Sequence, residues 1–147
     1  MLMLNGIVME FIITVEYEKG ENPRCVVSGK YDSKGMPALV ALSNSAQTIA
    51  IGFGTSVYFY SGLTGILDMV VEKMFNDNIT AIEFDTEGKY LFVSGDRQVR
   101  IFENITGYKV GIENAQKKLK NQNMATATRE RLESQIEEYE GIIKKHE

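Results

Sequence analysis

Two stretches in the first two thirds of the chain alternate apolar and polar residues with the period of a β-strand. ALVALSNSAQTIAIGFGTSVYFYS begins at Ala38, and TAIEFDTEGKYLFVSGDRQVRIFEN begins at Thr80. Each reads as a strand, a polar four-residue turn, a second strand ending near glycine, a short turn and a third strand. In the later stretch the strands fall at 79–84, 89–94 and 98–103, with a turn at 85–88 where Gly88 is free to take a positive φ. Tyr90 and Phe92 then share one face of the middle strand, and Leu91 and Val93 the other. A strand apolar on both faces is one sandwiched between neighbouring sheets. The earlier stretch continues through a turn into a fourth, more polar strand at 66–71. Upstream, strands at 11–17 and 25–31 flank the polar turn EKGENPR at 18–24 and read as a hairpin.

Setting Ser43 against Phe84 gives a spacing of 41, and Val57 against Val99 a spacing of 42, which places one inserted residue at the second turn. A repeat of roughly 40–45 residues with four strands per unit is the period of propeller blades. From Gly107 the period changes. Tyr108, Ile112, Ala115 and Leu119 form one helical stripe, and Leu132, Ile136, Tyr139 and Ile143 repeat its spacing. The polar NQNMATAT between them predicts two antiparallel helices rather than one rod. The chain thus divides into a β part at 1–106 and a helical hairpin or short coiled coil at 107–147.

Composition narrows the function classes. The 147 residues are 44% hydrophobic and 24% charged, as in an ordinary soluble domain. The net charge of −4 argues against a dedicated nucleic-acid binder. Cys25 is the sole cysteine and His146 the sole histidine, so an internal disulfide, an intramolecular Cys/His zinc site and a His-based triad fail on inventory. No stretch reaches the ~20 apolar residues that span a bilayer. The apolar start is broken by Asn5 and Glu10 and has no basic leader, so no membrane insertion by this chain is expected.

Few residues offer chemistry. Gly52-Phe53-Gly54 precedes a strand and is a strand-to-turn passage, not a dinucleotide loop. Asp85, Glu87, Glu83 and Glu103 have no nucleophile or oxyanion donor beside them in the pattern and read as solvated strand and turn residues. Lys89, Arg97, Arg100 and Lys109 form a basic cluster near aromatic residues; RNA contact is one reading, and a solvated edge in an acidic segment the simpler one. Asn78 and Asn104 head N-x-T sequons at strand ends, which matter only in a lumenal setting. Cys25 beside Val26 and Val27 reads as a packed or edge side chain, and His146 as a fraying terminus. No catalytic, cofactor-binding or metal-ligating residue is assigned, and no cofactor is expected.

The residues DTEGKYLFVSGDRQVRIFEN resemble a repeat of the WD-repeat β-propeller family, with Phe102-Glu103 where Trp-Asp ends the third strand and with Ser94 and Asp96 at bracing polar positions. The chain departs from that family in lacking tryptophan and a Gly-His pair before the first strand. The order VEYEKGENP, ALSNSAQTIAIGFGTSVYFY, ITAIEFDTEGKYLFVSGDRQVRIFEN and a Lys/Glu-rich tail is similar to the C-terminal part of an endoplasmic-reticulum-associated branch of that family. The resemblance implies a mainly β fold with a C-terminal α-helical hairpin, built as about two WD-type four-stranded antiparallel blades of an incomplete β-propeller. It also implies a non-catalytic protein–protein interaction scaffold with protein partners, a stress-response kinase among them, located at the endoplasmic reticulum. Without an anchor this chain by itself would be cytoplasmic. The alternative is a truncated product or partial gene model without independent function. Two blades cannot close a ring, so Phe84, Tyr90, Phe92 and Phe102 are expected to include side chains without a covering blade. Such a face binds partners or self-associates.

Overall fold

The computed structural model describes residues 8–14, 25–32, 38–121 and 123–146. Within them the chain forms three antiparallel sheets followed by two helices. The first is a hairpin of β1 (Val8–Thr14) and β2 (Cys25–Asp32), in register from Val8↔Asp32 to Ile13↔Val27 and shifted by one residue at Thr14↔Cys25. The expected hairpin is present, but its first strand begins three residues earlier than the alternation suggested. There the apolar run continues through Met9 on both sides of Glu10. The turn at 18–24 and the surroundings of the Cys25 side chain lie outside the described residues.

The second sheet is four-stranded: β3 (Leu39–Leu42), β4 (Thr48–Phe53), β5 (Ser56–Ser61) and β6 (Leu67–Val71), each paired with the next. The third is three-stranded: β7 (Ala81–Phe84), β8 (Tyr90–Gly95) and β9 (Gln98–Glu103). The strands at 89–94 and 98–103 are found within a residue of their expected bounds, and the chain is mainly β with a C-terminal helical hairpin.

The two larger sheets repeat one plan, and the repeat corrects the sequence alignment. Ser43 and Asp85 each bond through their backbone N–H to the carbonyl five residues on, Thr48 and Tyr90 respectively. Each also accepts the returning N–H on its side-chain oxygen, at 3.0 Å for Ser43 Oγ and 2.9 Å for Asp85 Oδ1. Ala46 and Gly88 take the positive φ inside these turns, +55° and +71°. The pairs Leu42↔Ile49 and Phe84↔Leu91, and Thr48↔Ser61 and Tyr90↔Glu103, lie at one constant offset of 42 residues. There is no inserted residue. Ser43 corresponds to Asp85, not Phe84, because a short acceptor side chain is what this turn requires.

The core lies between these sheets. Ala50, Val57 and Phe59 of the first meet Leu91 and Val93 of the second, with Met74, Phe75 and Ile79 of the connecting segment filling the space. Phe84 and Phe102 pack against this cluster, so these two of the four candidate uncovered aromatics belong to the core. Asp96 braces the connection: its carboxylate accepts the N–H of Asn76 at 2.6 Å and of Asp77 at 2.9 Å, while Thr80 Oγ1 lies 2.9 Å from Ser94 Oγ. Gly95 is required beneath it, since a Cβ there would lie 2.6 Å from Phe75 Cδ2.

Helix α1 (Ile105–Leu119) starts two residues before the expected point because Asn104 is its N-cap. Asn104 is 2% exposed. Its Oδ1 accepts from Gly107 N at 3.0 Å and from Thr48 Oγ1 at 2.9 Å, and its Nδ2 donates to the Gly88 carbonyl at 2.7 Å. One amide therefore joins the first sheet, the turn of the second and the helix. The Asn104 sequon is closed in the folded chain, whereas Asn78 is exposed. Lys109 Nζ reaches Asp68 Oδ1 at 2.9 Å and Thr106 Oγ1 donates to Asp68 Oδ2 at 2.8 Å, fixing the helix to β6.

Helix α2 (Thr126–Ile143) packs along α1. Tyr108 and Tyr139 rings sit 5.0 Å apart at 55°, and a Cβ at Gly111 would come within 2.6 Å of Tyr139 Cε2. Tyr108, Ala115 and Leu132 are buried as the stripes implied, joined by Val110 and Gly111, which the spacing missed; Ile112 and Leu119 are half-buried.

Candidate interaction surface

The alternation of β8 predicts two apolar faces, and the structure covers one of them. Leu91 and Val93 are fully buried, while Tyr90 is 43% and Phe92 38% exposed. Cross-strand partners share a face, so Phe92↔Ile101 and Ser94↔Val99 extend this side onto β9. Val99 is 63% and Ile101 59% exposed. Four apolar side chains thus form a contiguous band on a sheet face open to solvent. The buried-on-both-faces expectation fails here because, among the described residues, no sheet lies on that side.

The constant offset says what kind of surface this is. Val99 and Ile101 occupy the places that Val57 and Phe59 hold in the first sheet. Val57 and Phe59 are fully buried against the second sheet. The band on the second sheet is therefore the face that, one repeat earlier, packs against a neighbour. Burying an aliphatic or aromatic side chain of this size stabilises by roughly 1.5–3 kcal/mol. Val99 and Ile101 have more than half of that gain still open, and Tyr90 and Phe92 somewhat less than half.

One end of the band runs into a groove of about 650 Å³ between the sheet and the helical hairpin, lined by Lys89, Tyr90, Glu103, Arg131, Glu138 and Tyr139 among others. Glu103 anchors this end. It accepts the Tyr108 hydroxyl at 3.3 Å and lies 2.6 Å from His146 Nε2. His146 is therefore held against the end of β9, not left to fray; the pairing spans 43 residues of sequence and leaves no local signal. Burial, reinforced by the charge and hydrogen bond of Glu103, pushes the Tyr108 phenol up to about 12 from 10.0.

Folding favours the neutral phenol, so this contribution to stability is complete below pH 10 and is lost as pH rises from there through 12. Unfolding followed by circular dichroism across that range, with phenolate absorbance recorded in parallel, should show this alkaline loss. Tyr108→Phe should flatten the part of it that belongs to this hydroxyl.

The other candidate residues are placed singly. Asp85 closes its turn, Glu87 pairs with Lys89 at 2.7 Å, and Lys109 holds Asp68. Arg100 lies 5.1 Å over the Phe75 ring on the covered side of the sheet. The basic residues thus do not form one patch. Gly52 ends within β4 and Gly54 turns the chain with φ +55°. Among the described residues no three His, Cys, Asp or Glu side chains converge to hold a metal, and no helix is long and apolar enough to cross a membrane.

No family model matches the chain. The chain is similar to Transducin beta-like protein 2 of Homo sapiens, 31% identical over 132 residues, which is 88% of this chain and 29% of that protein. Transducin beta-like protein 2 of Mus musculus is 30% identical over 131 residues, again 88% of this chain and 29% of the relative. The chain therefore spans less than a third of the length of the curated relatives it matches.

Proposed function

We propose that this chain is a non-catalytic protein–protein interaction module of a WD-repeat scaffold. The observation that carries this reading is the exposed band of Tyr90, Phe92, Val99 and Ile101, the repeat counterpart of a face that is packed one repeat earlier. The likeness to transducin beta-like protein 2 over most of the chain supports the same class of function. On this reading the partner is a stress-response kinase, the setting is the endoplasmic reticulum, and the helical hairpin buttresses one end of the docking face.

The test is calorimetric titration of the purified chain with the soluble kinase domain of an endoplasmic-reticulum stress kinase. Val99→Ser/Ile101→Ser removes the two most exposed members of the band. Central apolar anchors cost about 2 kcal/mol or more when truncated, so the double variant should bind at least tenfold more weakly. Undiminished binding by the double variant, or none by the parent chain, overturns the reading.

A further inference from the structure

Helix α2 is held loosely beyond Leu132. Among the described residues, Leu132 is the only buried member of this helix, and no basic side chain sits in its last turn. Glu133 and Glu137 stand four residues apart and Glu137 and Glu140 three apart, spacings at which like charges repel on a helix. Gly141 lies inside the helix, where only proline is a poorer former. A Cβ there would meet no described atom within 4 Å, so packing does not require the glycine. The far end is tied to β9 by His146 on Glu103, a contact between partly exposed side chains and so a weak one. Such a segment opens locally at lower cost than the whole fold.

Tyr139 belongs to this loosely held part. Its setting is Glu137-Glu138-Tyr139-Glu140-Gly141-Ile142, with carboxylates on both sides and an apolar residue three positions on. Among the described residues no other tyrosine stands between two carboxylates. Kinases choose substrates by such charge patterns, and a basic cleft with an apolar pocket beyond it fits this segment once it is extended. In the closed hairpin the ring lies 5.0 Å from that of Tyr108 and directly over Gly111. Its hydroxyl accepts from Gln135 Nε2 at 2.9 Å on the wall of the groove between sheet and hairpin. The residue is half-buried there, so it is presented only when the end of α2 opens.

We propose that Tyr139 is a phosphorylation site for a tyrosine kinase that selects acidic segments, and that the phosphate then keeps the end of α2 from closing onto α1. In the transfer the Tyr139 O–H bond breaks and a bond from its oxygen to the γ-phosphorus of ATP forms. The bond from that phosphorus to the bridging oxygen breaks, ADP leaves with the electron pair, and the phenol proton passes to the base of the kinase. The product carries roughly −1.5 to −2 charge at pH 7. The groove lining sets Lys89 and Arg131 against Glu103 and Glu138, so this charge arrives uncompensated. Lys89 is moreover already paired with Glu87 at 2.7 Å. Placed beside carboxylates and in a ring-to-ring contact, a phosphate disrupts the packing by repulsion and desolvation.

The test incubates the full chain with magnesium, ATP and a recombinant tyrosine kinase domain of acidic-substrate preference, and maps phosphate by peptide mass spectrometry. Phosphate is expected on Tyr139, and mapping separates it from Tyr17, which stands between Glu16 and Glu18 but has Gly20 three positions on. Gly141→Ala strengthens the helix without a clash and should slow modification of the chain about fivefold by helix propensity. A free peptide of residues 132–146, with and without that substitution, should be modified at one rate, which separates helix opening from the kinase's own preference. In the phosphorylated chain, amide exchange over residues 133–146 should rise about tenfold or more while β7–β9 keep their protection. Tyr139 left unmodified overturns the proposal, whether or not the free peptide is modified. So does a rate untouched by Gly141→Ala in the chain, and so does exchange that is unchanged or slowed by the phosphate.

Discussion

Asn104→Ala is expected to lower the unfolding free energy by about 3–4 kcal/mol. The amide is buried and makes three side-chain hydrogen bonds to three different parts of the fold. Its removal leaves the Thr48 hydroxyl and the Gly88 carbonyl without this partner, at about 1–3 kcal/mol per stranded buried group. It also removes the N-cap of α1, worth typically ~1 kcal/mol. Asn104→Asp keeps the cap oxygen but sets a buried carboxylate oxygen against the Gly88 carbonyl, so at neutral pH it should cost at least as much as alanine does. Urea unfolding of the three proteins checks the order. A loss below about 1 kcal/mol for alanine would mean that the helix and the sheets do not depend on this junction.

Phe59→Ala should be as damaging, at about 4 kcal/mol, by a different mechanism. Phe59 is fully buried between the two larger sheets. Truncating such a residue forfeits its transfer free energy and leaves a cavity, together about 3–5 kcal/mol. Its repeat counterpart Ile101 is more than half exposed. Ile101→Ser should therefore cost under about 1 kcal/mol, in the range of β-propensity and partial burial alone. The same structural position carries two very different energies because, among the described residues, only one of the two sheets has a neighbour on that side.

How much of this was legible in the sequence depends on the range of the interaction. Alternation placed β8 and β9 within a residue, because a half-buried strand has period two wherever it lies. The repeat itself was visible, but its register slipped at Ser43. Matching by sequence order overlooked that Ser43 and Asp85 are alike as turn acceptors. Asn104 looked like a turn residue and a sequon; an asparagine directly before the helical run that starts at Ile105 was the capping signal available. The division of the apolar aromatics into packed Phe84 and Phe102 and exposed Tyr90 and Phe92 was not legible. Faces alternate locally, but which face is covered is decided by the neighbouring sheet. The His146–Glu103 contact lies further still from any local pattern.

The claim that the band on β8 and β9 is a surface for a partner and not part of the chain's own core is tested most directly by one urea unfolding comparison. The parent chain and Val99→Ser/Ile101→Ser are unfolded side by side and followed by far-UV circular dichroism. The account predicts one cooperative transition in each, with the double variant within about 1 kcal/mol of the parent, since both side chains are already mostly in water. A loss of about 3 kcal/mol or more, the scale of a truncated core side chain, would contradict it.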